Sequence, residues 1–348
     1  MTMKEQKLIV QHFKGIIDST LREGFQFSKA NFSLKEQIKI FQYLVNIGVD
    51  YVEVGNPAKP EIQQMIINLI KSINGKSVKI LSHIRNHEYD VQRAIESGVN
   101  GVNILCTVDA ERQAAIQASR EEYKNRLIRN ILQAKNRALE VRVGIEHFFT
   151  QPFTKSFEIL KLAEAHQVDR VSVADTLGKA MTWEVYRKIK FLRRHFSFDL
   201  EVHFHNDLGH SVSNAIASLH AGANWVSTSL LGIGERTGIT PLSSLLANLY
   251  ILCPLLTQKY NLSLLTQAEN YVSRICNIEM PVNLMTNISN GFAHKGGIHL
   301  DALMRFGPHK YELFSPEVIG NARNLVIRTL ISGKTTEHEV EEFKRKYG

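Results

Sequence analysis

Apolar and polar positions alternate along this chain in two rhythms. Short runs rich in Val and Ile (GIID, VDYVEV, VKILSHI, GVNILCT, EVRVGIE, DRVSVADT, DLEVHFH and NWVSTSLLG) are mostly apolar on both faces. That is the pattern of strands buried in a parallel sheet. Between them lie amphipathic stretches of helical period. SLKEQIKIFQYLVNIG opens with Ser33 and Glu36, spaced as a capping box, and ends at Gly48. EYDVQRAIESG and SVSNAIASLHAG also close on glycine and lead directly into the next strand. REEYKNRLIRNILQAKNRAL, KSFEILKLAEAHQ, WEVYRKIKFLRRHF and PLSSLLANLYIL read as further helices.

Eight strand–helix units within roughly 250 residues predict an α/β fold of the TIM (β/α)8 barrel type. A doubly wound open sheet has the same alternation and is the competing architecture. The count favours the barrel, and so does the polar character of the strand ends: Asp18, Glu53, His83, Thr107, Glu146, Asp175 with Thr176, His203 with His205, and Thr228. A barrel converges such ends on one space, where its active site lies. After about residue 258 the rhythm stops. Residues 1–258 are expected to form the catalytic barrel, and residues 259–348 a smaller, mostly helical C-terminal region.

Composition narrows the class. The chain has 348 residues, 44% hydrophobic and 22% charged, as an ordinary globular protein does. No apolar run approaches the ~20 residues of a membrane span. The opening MTMKEQKLIVQHFKG has no apolar signal core, so a cytoplasmic location is expected. Cys106, Cys253 and Cys276 are odd in number and far apart. They suit buried thiols rather than a disulfide framework or a CxxC metal site. The net charge is +8, but Lys and Arg are dispersed, and the densest groups, RKIKFLRR and KRKYG, read as a helix face and a tail. This favours a solvated basic surface over a nucleic-acid partner. A phosphate-bearing small substrate would also suit the charge.

Three stretches carry candidate chemistry. In EVHFHND, His203 and His205 lie two apart on a strand, so both rings point to one face. Two imidazoles at a barrel mouth suit either a divalent metal or hydrogen bonds along the rim. Asp18 and Glu23 offer a carboxylate as third ligand, and two nitrogens with one carboxylate leave open positions for a chelating substrate. LLGIGERTG, after strand eight, reads as a tight turn or as a weak phosphate loop. GFAHKGGIHLD holds His294, Lys295 and His299 in a glycine-rich turn, either a linker or an active-site flap.

Taken together, DSTLREGFQ, EVHFHND, GIGERTGITPL and AHKGGIH resemble the Claisen-condensing branch of the DRE-TIM metallolyase superfamily, from about residue 15 to about 335. That branch includes isopropylmalate, citramalate, homocitrate and re-citrate synthases, and the sequence resembles the homocitrate synthases most. Sibling lyases carry a catalytic Cys in the loop after strand eight, where this chain has GIGER.

The resemblance implies a metal-dependent condensation of acetyl-CoA with a 2-oxo acid, 2-oxoglutarate first, followed by thioester hydrolysis. It implies that Glu23, His203 and His205 bind a divalent metal (Mg2+, Mn2+ or Zn2+). Arg22 would stabilise the alkoxide, while Glu146, His294 and Tyr311 would handle protons. Gln26, His83, Arg142 and Thr176 would hold the substrate. His294 would come from the partner in a domain-swapped homodimer. One departure stands out: strand five reads VRVGIEH, with Gly144 where homocitrate synthases usually carry a substrate-contacting Ser. Other readings of the same scaffold are a synthase using another 2-oxo acid, a carbon–carbon lyase, and a binding homologue without turnover.

Overall fold

The computed structural model describes residues 3–73, 75, 77–108, 119–326, 342 and 345. Eight parallel strands follow one another around a closed barrel: β1 (Gly15–Asp18), β2 (Tyr51–Val54), β3 (Lys79–Arg85), β4 (Gly101–Cys106), β5 (Glu140–Ile145), β6 (Arg170–Asp175), β7 (Asp199–Phe204) and β8 (Trp225–Thr228). β1 pairs with both β2 and β8, with Ile17 opposite Tyr51 on one side and Ser227 on the other. That closure decides for the barrel over the open sheet.

Helices α1 (Met3–His12), α2 (Leu34–Ile47), α3 (Pro60–Lys71), α4 (Glu88–Ser97), α5 (Arg120–Lys135), α6 (Phe153–Ala165), α7 (Thr182–His195), α8 (Ser211–Ala221) and α9 (Leu242–Leu252) accompany the strands. Local chemistry sets their ends. The Ser33 side chain and the Glu36 carboxylate cap the start of α2 reciprocally. Gly48, Gly98 and Gly222, just past α2, α4 and α8, take φ of 92°, 75° and 105°, where a side chain would be strained. The pattern had not marked α1 or α3.

Beyond the barrel lie α10 (Leu265–Ile275) and α11 (Gly297–Phe306), and β9 (Ala293–His294) pairs in parallel with β10 (Asn324–Leu325). The described part of the C-terminal region is therefore mostly helix and turn. Of the basic tail KRKYG, only Arg345 falls among the described residues.

Period-two alternation divides each strand between two environments. Val52, Ile80, Val102, Ile104, Val141, Val143, Val171, Val173 and Val202 are fully buried beneath the helices. The other face fills the barrel. Near the N-terminal ends, Ile17, Tyr51, Leu81 and Trp225 form a separate apolar cluster. Arg170 lies over the Trp225 ring at 4.0 Å and the Tyr51 ring at 4.6 Å. A stack of charges then replaces the branched aliphatics usual in such interiors. The Arg142 Nη1 donates to Glu201 at 2.7 Å, its Nη2 pairs with Glu53, and the Arg22 Nε donates to Glu53 at 2.7 Å. All three cysteines are buried, and burial pushes the Cys106 thiol up to about 12.

Candidate active site

The charged stack opens at the C-terminal ends of the strands into a cavity of about 330 Å3. Arg22, Glu23, Gln26, His83, Arg142, Glu146, Thr176, His203 and His205 all line it. Eight of these come from strand ends or the loop after β1, and strand alternation explains their convergence. Arg142, Gly144 and Glu146 are successive inward positions of β5 and its end, as Glu201, His203 and His205 are of β7.

Glu23, His203 and His205 are the cluster of metal-ligating type among the described residues, their donor atoms all within 4.8 Å of one another. His203 Nε2 lies 3.9 Å from Glu23 Oε2, and His205 Nε2 lies 4.0 Å from Glu23 Oε1. Burial and the neighbouring Arg22 press the His203 imidazole down to about 3, and burial lowers His205 as well. Burial raises Glu23, but Arg22, the two histidines and the Glu235 N–H outweigh it and hold the carboxylate at about 2. At neutral pH the group is therefore one carboxylate and two neutral imidazoles, the ionisation states a divalent cation takes. The His203 Nδ1 sits 3.0 Å from the Ser227 hydroxyl, a contact that orients the ring with Nε2 toward Glu23. These residues fit a metal. Asp18 does not join them: it is fully buried, hydrogen-bonded by the Thr20 N–H and the Thr228 hydroxyl.

The loop after β8 packs against this cluster. Its Glu235 N–H donates to Glu23 Oε1 at 3.0 Å, and its Gly234 lies so close that a Cβ there would meet Glu23 Cγ at 2.9 Å. Gly238, at φ 78°, admits no side chain, because a Cβ would fall 1.8 Å from the Gly232 carbonyl oxygen. The glycines of GIGERTG thus let the loop fold tightly against a ligand.

At the other side of the cavity, Asn103 Nδ2 reaches His83 Nδ1 at 2.9 Å and Glu53 Oε1 at 3.2 Å. Burial and Arg22 lower His83. Burial raises Glu53, but Arg22 and Arg142 keep it well below the usual carboxylate range. Thr176 Oγ1 accepts from the His147 N–H at 2.8 Å. Glu201 and Asn103 are part of this site and were not singled out in the sequence. Their signal was present: charged or amide residues at inward positions of otherwise apolar strands.

His294 and Tyr311 stand elsewhere. His294 Nε2 lies 3.1 Å from Glu312, which also pairs with Arg323, and Tyr311 is 43% exposed with its ring tilted against that of His299, centroids 4.1 Å apart. Neither lines the cavity.

Comparison with known proteins agrees with the geometry. Residues 14–272 match the HMGL-like family, and residues 288–346 match a family described as homocitrate synthase post-HMGL domain-like. The mitochondrial homocitrate synthase of Schizosaccharomyces pombe is 37% identical over 91% of this chain and 76% of its own length. The homocitrate synthase of Pyrococcus abyssi is 32% identical over 94% of this chain and 90% of its own. Among solved structures, the HMG-CoA lyase of Bacillus subtilis superposes with a TM-score of 0.68 at 18% identity, covering 78% of this chain and 96% of that one, a likeness of fold. With these matches over nearly its whole length, the chain belongs to the homocitrate synthase family, built on an HMGL-like barrel.

Proposed function

We propose that this chain condenses acetyl-CoA with a 2-oxo acid, 2-oxoglutarate first, to give a homocitrate-type product and free CoA. The observation that carries the reading is the Glu23–His203–His205 cluster, deprotonated and directly beside Arg22, in a cavity sized for a small acid.

A divalent metal held by these three residues would act as a Lewis acid on the ketone of a chelating 2-oxo acid. Mg2+, Mn2+ and Zn2+ all suit the reading, and the ligand set does not choose among them. The chain's own groups supply the rest. Arg22 is fixed by Glu23 and Glu53, so its charge is already in place where the ketone oxygen becomes an alkoxide. Glu146, at the cavity wall, would take the proton from the acetyl methyl. The new carbon–carbon bond joins that methyl carbon to the ketone carbon, and the alkoxide then takes up a proton. Water finally cleaves the thioester, releasing CoA thiol and a carboxylate. His83, whose Nδ1 lies 2.9 Å from Asn103 Nδ2 and 3.4 Å from Glu53 Oε1, would meet a distal carboxylate together with Arg142, Thr176 and Gln26.

His294 and Tyr311 enter the reading through a homodimer in which each C-terminal region, residues 259–348, serves the partner's barrel, residues 1–258. Their distance from the cavity of their own protomer supports this. So does the exposure of Val282, Ile298, Phe306 and Leu313 in that region, an apolar surface of the kind that marks an interface. We also keep the cytoplasmic location. No described helix is long and apolar enough to cross a membrane.

Incubating the purified chain with acetyl-CoA, Mg2+ or Mn2+ and a panel of 2-oxo acids tests the proposal. Release of free thiol with 2-oxoglutarate is expected. Release only with another 2-oxo acid would move the chain to an isopropylmalate- or citramalate-type reaction, and release with none would end the synthase reading.

A further inference from the structure

One fully buried carboxylate lies outside the catalytic cavity and is still tied to it. Glu269, on α10, is 0% exposed. Its Oε1 accepts from the Leu231 N–H at 3.1 Å, and its Oε2 accepts from the hydroxyl of Thr286, itself fully buried. A carboxyl group is removed from water only at considerable cost; these hydrogen bonds offset part of it, while burial still raises the Glu269 pKa.

Leu231 is the residue that needs holding. It takes φ 59°, the left-handed region, which costs a leucine on the order of 1–3 kcal/mol and persists only when surrounding contacts impose it. It begins the loop whose far half touches the metal-type cluster. From Leu231 the chain passes through Gly232 to Gly234, packed against Glu23, and to Glu235, whose N–H donates to Glu23. The same loop closes on β7. The Ile239 N–H donates to Gly232, the Asn206 N–H donates to Gly238, and Ile239 bridges to His205. The neighbouring Leu230 N–H is held by the Thr20 hydroxyl, in the turn that carries Glu23.

We propose that Glu269 is a positioning residue for the metal site. Through its hydrogen bond to Leu231 it locks the post-β8 loop in the one conformation that aims Glu23 at His203 and His205. The second bond, from Thr286, makes the lock depend on the segment that leads from α10 to the His294 turn. The placement of the C-terminal region is thereby linked to the readiness of the cluster in the same chain. The inference rests on the metal reading of Glu23, His203 and His205 stated above.

Manganese affinity, measured by EPR titration of the full-length chain without substrate, tests it. Glu269→Leu is expected to weaken Mn2+ binding by about tenfold or more, the usual scale for loss of a group supporting a ligand. Glu269→Gln keeps an acceptor for the Leu231 N–H and should bind within about threefold of the native chain, a difference under 1 kcal/mol. Glu269→Asp draws the carboxylate back by one methylene and should fall between the two. A thermal melt of each variant separates support from plain stability. A lowered Tm with native Mn2+ affinity would overturn the proposal. If Glu269→Leu does not fold, Gln and Asp carry the test, and native affinity in Asp would overturn it. If the native chain binds no Mn2+, or if Glu23→Gln binds as well as native, the metal reading itself fails, a result distinct from failure of Glu269 alone.

Discussion

Arg142 and Glu201 face one another inside the barrel, Nη1 to Oε2 at 2.7 Å, both almost wholly shielded from water. The other terminal nitrogen of Arg142 goes to Glu53, and its Nε has no hydrogen-bond partner. A group expected to greet the substrate is therefore first a counter-ion for two buried carboxylates. Arg142→Ala would leave Glu53 with Arg22 alone and Glu201 with the Ser172 hydroxyl and Arg170 at 3.5 Å, and should cost up to about 3–5 kcal/mol of unfolding free energy, the scale for breaking a buried pair. A urea titration checks it. A loss under 1 kcal/mol would mean that the two carboxylates find other partners.

Gly144 leaves room that Asn103 occupies. A Cβ at residue 144 would sit 2.7 Å from Asn103 Oδ1. Gly144→Ser should therefore push Asn103 off His83 and Glu53 and destabilise the fold by about 1–3 kcal/mol, as overpacking does. Cutting Asn103 to Ala in the same chain should recover most of that loss. The relative kcat/KM of the double variant for 2-oxo acids of different length would show whether this pair shapes the cavity's choice.

Metal should stabilise the native chain and not its ligand variants. With Mn2+ at a hundred times its Kd, the native fold should gain about 2.7 kcal/mol by mass action, seen as a raised Tm. Glu23→Gln and His205→Ala should show no such rise, and chelator should abolish the native one. A Tm rise that survives both substitutions would place the ion elsewhere.

Burial raises Asp18 to about 7 from 3.8, against the pull of its hydrogen bonds from Thr20 and Thr228. The folded chain thus keeps a proton that the unfolded chain releases between those two values. Stability contributed by this group is complete at low pH and lost as pH rises toward 7, with a slope approaching about 1.4 kcal/mol per pH unit. Asp18→Asn retains the hydrogen-bonding shape without the titration. The native-minus-variant stability should fall between pH 4 and 7 and stay flat above. A difference independent of pH would show that Asp18 is ionised in the fold.

The homodimer reading predicts complementation. His294→Ala and Glu23→Ala chains, each inactive alone, should regain activity when unfolded together and refolded as a mixture. A mixed dimer would then hold one barrel with Glu23 opposite a native His294. No recovery, with mixed dimers present by native mass spectrometry, would mean that His294 does not act across the interface.

Much of the fold was legible because its signals are local. The strands announced themselves by Val and Ile on both faces, α2 by Ser33 and Glu36, and three helix ends by glycines with positive φ. The inward pairing of His203 and His205 followed from strand alternation alone. The loop GIGERTG was read as a turn or a phosphate cradle. Nothing in its sequence says that it would close on Glu23, because that depends on β1 lying beside β8. Glu201 and Asn103 passed unremarked, since a single polar residue within an apolar strand has no partner until the barrel is closed.

Periodicity, capping and spacing are properties of neighbours along the chain, and they carry the eight βα units, the polar strand ends and the two histidines. Which of those ends meet is a property of closure. Glu23 and His203 are separated by most of the barrel in sequence and by 3.9 Å in space. Arg142 is shared between strands two and seven. His294 lies in the same chain as the cavity but outside it. Side chains that point into a closed cylinder must neutralise one another in a confined, low-dielectric space, and their partners are chosen by the register of strands far apart in the sequence.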